Sequence, residues 1–160
     1  MTFAKTVFSL AGAALLMAGC AFTPVQPGMS RDQVVASFGT PTQVVSVGPR
    51  TRLQYSSQPA GQSVVMVDLD ADGKVVAVRE VMKLQEFSRI EPGKWTREDV
   101  EREFGLPARV DKVASWSGDV MNYRWRDSIH DMYFWVYLDA SNRVQRTGQG
   151  MEFPIRMHDN

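Results

Sequence analysis

The chain has 160 residues, 18 Lys and Arg against 18 Asp and Glu, no net charge, and a single cysteine. Balanced charge without a block of one sign argues against the basic stripe of a nucleic-acid surface and against a polybasic segment for acidic lipid. One cysteine excludes an internal disulfide framework.

From Met1 to Gly19 there is one side-chain cation, Lys5, then an apolar run from Val7 to Met17 broken only by Ser9 and Gly12, then small residues. The run is shorter than the roughly 20 residues a spanning helix needs, so 1–19 reads as a secretory signal outside the fold. Met17-Ala18-Gly19-Cys20 resembles the bacterial lipobox. That resemblance implies diacylglycerol on the Cys20 thiol, cleavage before it and acylation of the new N-terminus. About three chains would then hold the protein on a membrane, where two already suffice. Ala21 stands where Asp would imply inner-membrane retention, so the implied address is the outer membrane, on its periplasmic face. Residues 20–26 read as a lipidated tether.

The stretch from Pro27 to Pro41 recurs from Pro92 to Pro107 with one inserted residue. Each copy predicts a short helix. Ser30 and Thr96 are N-caps, with Gln33 and Asp99 placed to complete a capping box. Val34 with Phe38, and Val100 with Phe104, lie one turn apart on one face. Gly39 and Gly105 predict left-handed caps, and Pro41 and Pro107 forbid continuation.

Beyond each helix, Leu53-Gln54-Tyr55 aligns with Tyr123-Arg124-Trp125, and Val67 to Ala71 aligns with Val136 to Ala140. A hairpin follows in both, with Gly73 in one copy and Asn142 in the other at the position that needs positive φ. The second copy adds Val81, Leu84, Phe87 and Ile90 at a spacing of three, which predicts a further helix over 81–90. The expected fold is α+β: two tandem units, 27–80 and 81–153, each with short helices on one face of a three-stranded antiparallel sheet, then a tail, 154–160. A unit this small buries only ~60% of its unfolded surface, against nearly ~70% for a chain twice as long, so the two should pack together.

The Pro-Gly, Ser/Thr-Arg-Asp/Glu helix ending in Phe-Gly-x-Pro, followed by strands and preceded by a lipobox, resembles the BamE (SmpA/OmlA) family of small outer-membrane lipoproteins. The resemblance covers each half once. It implies a non-catalytic accessory subunit of the machinery that inserts β-barrels into the outer membrane, acting by contact. The tandem arrangement is also similar to the secreted β-lactamase inhibitor protein, which implies the alternative of an inhibitor of a secreted or periplasmic enzyme.

No enzymatic reading competes. Asp68-Leu69-Asp70-Ala71-Asp72-Gly73 opens like a calcium loop, but its twelfth position is Arg79 where a bidentate carboxylate is required. His130 and His158 are the only histidines, too few for a zinc site once Cys20 is lipidated. Gly-x-Ser-x-Gly is absent. No catalytic residue, metal or cofactor is therefore expected.

The aromatic residues of the second copy point to a surface. Phe134, Val136 and Leu138 match the inward Val65, Val67 and Leu69, so alternation turns Tyr133, Trp135 and Tyr137 outward. On the first copy those outward positions hold Val64, Met66 and Asp68. Three such rings at ~150–250 Å² each make a patch a monomer seldom leaves bare. Two expectations follow. Either the face is covered by the other unit or by the tail, with Phe153 as a plug, or it is a partner surface anchored by Tyr133, Trp135 and Tyr137, with Arg124 and Arg126 on the same face placed to stack on the rings.

Overall fold

The structure, a computed structural model, describes residues 24–153. Cys20, its signal and the tail, 154–160, lie outside them. The capping boxes form as expected. In α1 (Arg31–Phe38) Ser30 accepts from the Gln33 backbone and the Gln33 side chain accepts from the Ser30 N–H; in α3 (Arg97–Phe104) Thr96 and Asp99 do the same. Between these helices lies α2 (Leu84–Phe87).

Each unit is a four-stranded antiparallel meander, not the expected three. The first is β1 (Gln43–Val47), β2 (Arg50–Ser56), β3 (Val64–Leu69) and β4 (Val75–Glu80). The second is β5 (Arg109–Asp111), β6 (Val120–Asp127), β7 (His130–Leu138) and β8 (Val144–Met151). The unforeseen strands, β1 and β5, each form one of the two edges of their sheet. They are five and three residues long and hydrogen-bond on one side only, so neither carries a strong buried pattern.

The duplication is visible bond by bond. The Arg31 N–H donates to the Gly73 carbonyl (3.1 Å) and the Arg97 N–H to that of Asn142 (2.8 Å). Asn142 takes φ 61° where Gly73 takes 73°, as the sequence requires. The β3–β4 and β7–β8 ladders shift register at the same place, Asp68/Leu69 and Tyr137/Leu138. The Asp70 carboxylate accepts from the Asp72 and Lys74 backbones, and that of Asp139 from Ser141 and Arg143, so the acidic cluster is a hairpin turn closed by its own side chain.

Three local expectations need correcting. The Thr42 N–H meets the Gln54 carbonyl as Ala108 meets Asn122, and the Tyr55 and Tyr123 hydroxyls donate to the Gly39 and Gly105 carbonyls. Leu53-Gln54-Tyr55 therefore corresponds to Met121-Asn122-Tyr123, two residues earlier than the sequence alignment placed it. Gly39 and Gly105 have φ 80° and 76° but ψ −162° and −173°; this is the extended, glycine-only region, not the left-handed helical one. The helix over 81–90 contracts to α2, and Leu84 is 48% exposed. Two α-helical bonds, Phe87 to Lys83 and Ser88 to Leu84, form the middle of α2, and i→i+3 bonds, Glu86 to Lys83, Arg89 to Glu86 and Ile90 to Phe87, tighten its ends into the coil that runs only in short pieces.

Two cores define the layers. Val34 of α1 packs with Leu53, Val67, Leu69 and Val75 on one face of the first sheet, joined by Val25 from the segment expected to be tether. The other core holds Phe87, Val100 and Phe104 of α2 and α3 with Met121, Tyr123, Phe134, Val136 and Leu138. Val64 and Met66, from the opposite face of the first sheet, belong to it as well. The order is thus α1, first sheet, α2 with α3, second sheet. Phe87 links α3 to the second sheet in this core: its ring stacks on Phe134 at 4.1 Å and 4° and meets Phe104 at 5.2 Å.

Candidate functional site: the outer face of the second sheet

Stacking the layers in this order leaves one sheet face without a helix. The first sheet has α1 on one side and α3 on the other. The second has α2 and α3 on one side only, and its far face carries Tyr133, Trp135 and Tyr137, each half-buried, while Phe134, Val136 and Leu138 are buried beneath. The expected alternation holds.

Register explains how the rings are supported. Gly150 lies opposite Tyr133, Gly148 opposite Trp135 and Arg146 opposite Tyr137. Having no side chains, Gly148 and Gly150 leave room for the indole: a Cβ at Gly150 would come within 2.6 Å of the Trp135 ring, whereas one at Gly148 would be at an ordinary 3.5 Å. Tyr133 and Trp135 lie nearly parallel, 6.5 Å apart. Trp116, from the β5–β6 loop, meets Tyr137 edge-on at 5.3 Å and donates its indole N–H to the Leu138 carbonyl at 2.6 Å.

The cations on the rings are not the ones expected. Arg146 lies 3.9 Å from the Tyr137 centroid and 5.1 Å from that of Trp116, and Arg109 lies 5.5 Å from that of Tyr133. Arg124 does sit beside Tyr133, but its guanidinium is used elsewhere. It donates to Glu152 (2.9 Å) and to the Pro59 and Ala60 carbonyls (2.8 and 3.0 Å), tying the β2–β3 loop to the margin of the face. The hydrogen bond and charge of Glu152 raise its pKa above the usual arginine value. Arg126 is paired with Asp131 across the hairpin (2.8 Å), pulled to the end of the sheet by its cross-strand neighbour. Phe153 is 77% exposed and plugs nothing among the described residues. Trp116 and Arg146 gave no periodic signal in the sequence. The pair Gly148 and Gly150, two apart and so on one face, was the readable one.

The corresponding face of the first sheet is closed and polar at its centre. Arg52, in register with Asp68, holds it through two bonds (2.5 and 3.0 Å) and also donates to Glu103 (2.9 Å) and to the Arg102 carbonyl (3.0 Å) at the end of α3. Gln54 donates to the Glu101 and Arg102 carbonyls (both 3.1 Å). Burial pushes the Glu103 carboxyl up, but the bond from Arg52 and the charges of Arg52, Arg79 and Arg89 outweigh it and leave the carboxyl below its usual range. The same arrangement holds Arg52 cationic: desolvation opposes the charge, and Asp68 and Glu103 more than restore it.

Among the described residues no three His, Cys, Asp or Glu are grouped to hold a metal ion, and no helix is long and apolar enough to cross a membrane. An open cavity of about 480 Å³ beside α1 is lined by Ser37, Phe38, Thr42, Tyr55 and Ser57 among others. There the Thr42 and Ser57 hydroxyls are already bonded to the Gln54 and Ser63 carbonyls.

A helix with a capping box, a glycine-only stop and a meander, met twice, is the pattern the sequence had pointed to. Residues 21–79 match the outer membrane protein assembly factor BamE domain. The BamE match thus covers the first unit, and the second repeats its bonds without lying inside the matched residues. No curated protein matches the chain. Among solved structures, it is similar to a DUF4309 family protein from Bacillus subtilis (17% identity, 77% of this chain and 78% of that one, TM-score 0.30). It is also similar to a candidate beta-lactamase inhibitor protein from Streptococcus mutans (15%, 77% and 83%, TM-score 0.32). A third likeness is to an extracellular protein containing an SCP domain from Bacillus anthracis (14%, 95% and 50%, TM-score 0.31).

Proposed function

We propose that this protein is a non-catalytic binding subunit on the periplasmic face of the outer membrane, anchored through lipidated Cys20, which offers the outer face of its second sheet to another envelope protein in β-barrel assembly or envelope maintenance. The observation that carries the reading is the pairing of a BamE-matching unit, closed on both sheet faces, with a second unit whose sheet keeps one aromatic face open. Tyr and Trp held in place by glycine, Arg146 and Trp116 are pre-positioned, and such residues carry most of the energy at protein interfaces. The BamE domain is described as an assembly factor, which supports an accessory role in place of catalysis.

The test is crosslinking and purification from the native envelope, comparing the wild type with a Tyr133→Ser, Trp135→Ser, Tyr137→Ser variant whose unfolding is measured in parallel. Copurification of the barrel-assembly machinery, lost in a variant that still folds, supports the proposal. Recovery of a single hydrolase instead favours the inhibitor reading, and a variant that keeps every partner removes the face from consideration. Growth on labelled fatty acid tests the anchor, because equal labelling of wild type and Cys20→Ala ends that part of the reading.

A further inference from the structure

The open face runs to an open edge. β8 is the last strand of its sheet, and the segment before α3 covers only its start, where the Gly93 N–H donates to the Val144 carbonyl (2.7 Å) and the Val144 N–H to that of Trp95 (2.8 Å). From Arg146 to Met151 the outer edge has no backbone partner among the described residues. Such an edge presents a row of free N–H and C=O groups, which proteins usually blunt with lysine, proline or a covering element. Gln-Arg-Thr-Gly-Gln-Gly-Met contains neither Lys nor Pro, and no acidic residue.

Both sides of this edge are built to receive side chains. On the outer side Gly148 and Gly150 bring the Trp135 indole to the rim with nothing beyond it on β8. On the inner side a groove of about 290 Å³ runs between β8 and α2, lined by Leu84, Phe87, Ile90, Phe134 and Thr147. The charge is one-sided. Arg109 is paired with Asp111 (3.0 Å), but Arg146 lies against rings alone, with no carboxylate partner among the described residues.

We infer that β8 is a strand-addition site: an extended segment of a partner protein pairs with the Arg146–Met151 edge and places an acidic side chain opposite Arg146. Its apolar side chains lie opposite Gly148 and Gly150 on the Trp135 ring, and the alternate ones enter the α2 groove. Main-chain bonds supply affinity in this mode and flanking pockets supply specificity. The inference rests on the reading of the outer face as a partner surface and names the partner's chemistry.

The probes are short synthetic peptides alternating Thr with Ile or Phe and carrying one Asp, each made also with alternate backbone amides N-methylated. Binding to the full chain in detergent is followed by Trp fluorescence, with sedimentation alongside. The expected result is saturable binding that weakens about tenfold or more on N-methylation, since each lost main-chain bond is worth about 1 kcal/mol. Gly148→Glu, which has room for its Cβ, abolishes it, and Arg146→Glu reverses the preference to a Lys peptide. Binding indifferent to N-methylation, or none with any peptide, overturns strand addition. So does self-association that excludes the peptides, which makes a second copy the occupant, or binding that appears only when 154–160 is deleted, which makes the tail the occupant. Strand addition alone fails if the envelope partner is lost with the triple Ser variant but kept with Gly148→Glu; if the partner is kept in both, the proposed function fails too.

Discussion

Val64, Met66 and Asp68 in β3 occupy the positions of Tyr133, Trp135 and Tyr137 in β7, yet the first set is sealed beneath α3 and the second is half-exposed. At the centre of the sealed face a carboxylate, Asp68, is held by Arg52; at the same place on the open face a phenol, Tyr137, is covered by Arg146. One backbone plan thus serves two ends, joining the units in one copy and leaving a surface in the other. The difference lies in which side chains alternate along one strand.

The comparison can be broken most directly at the two arginines. Arg52→Ala leaves Asp68 and Glu103 without their shared cation at the join. Stripping one partner from a buried charge network costs about 3–5 kcal/mol, because the remaining charges stay desolvated. Arg146→Ala removes a cation from exposed rings, worth about 0.5–1 kcal/mol. Denaturant unfolding of the two variants checks the ratio, and equal losses would mean that the first sheet's face is not sealed as described.

The next contrast is apolar. Met66→Ala opens a cavity between the units and should cost about 2–5 kcal/mol. Trp135→Ala removes a larger side chain from a half-exposed site and should cost less, while abolishing partner capture. Calorimetry gives the order, and the reverse order would place the aromatic face inside the folding core.

How far these faces were legible differs between them. Capping residues, the Phe-Gly-x-Pro stops and the Asn142-for-Gly73 exchange are local backbone requirements, so the sequence states them and the structure keeps them. Alternation along β7 likewise assigned Phe134 and Trp135 to opposite faces. β1 and β5 escaped because they are short edge strands without a buried residue, so nothing in them demands an apolar pattern. Arg124 was placed on the right face and given the wrong partner, since its reach to Pro59 and Ala60 depends on how the units dock. The same holds for Arg52: its role needs α3 from the other unit, which no spacing within β2 announces.

Acid separates the faces more gently. The Glu103 carboxyl is held below its usual value of 4.5 by Arg52, with Arg79 and Arg89 adding to the field. A depressed carboxyl contributes stability that is fully present above its unfolded value and is lost as pH falls through the folded one. The join between units should therefore weaken below about pH 4.5, by the linkage of that shift. Glu103→Gln should cost about 1.5–3 kcal/mol at neutral pH, the worth of a charged hydrogen bond, and flatten the loss below pH 4.5. Unfolding midpoints across pH 3–7 measure both, and an unchanged acid slope would assign the sensitivity to other carboxylates.

The smallest contrast is within β8 itself. Gly148 and Gly150 are two apart on one face, but only Gly150 lies under the far edge of the Trp135 ring, where a Cβ would stand 2.6 Å from the indole. Gly150→Ala must push the ring off its seat, an overpacking cost of about 1–3 kcal/mol. Gly148→Ala meets ordinary contacts, and the lower conformational entropy it gives the unfolded chain makes it neutral or stabilising by about 0.4–1 kcal/mol. The tryptophan emission should shift for Gly150→Ala and stay put for Gly148→Ala. If both variants behave alike, the indole is not seated on the strand, and the alternation of glycines in β8 has some use other than bringing an aromatic ring to the sheet's edge.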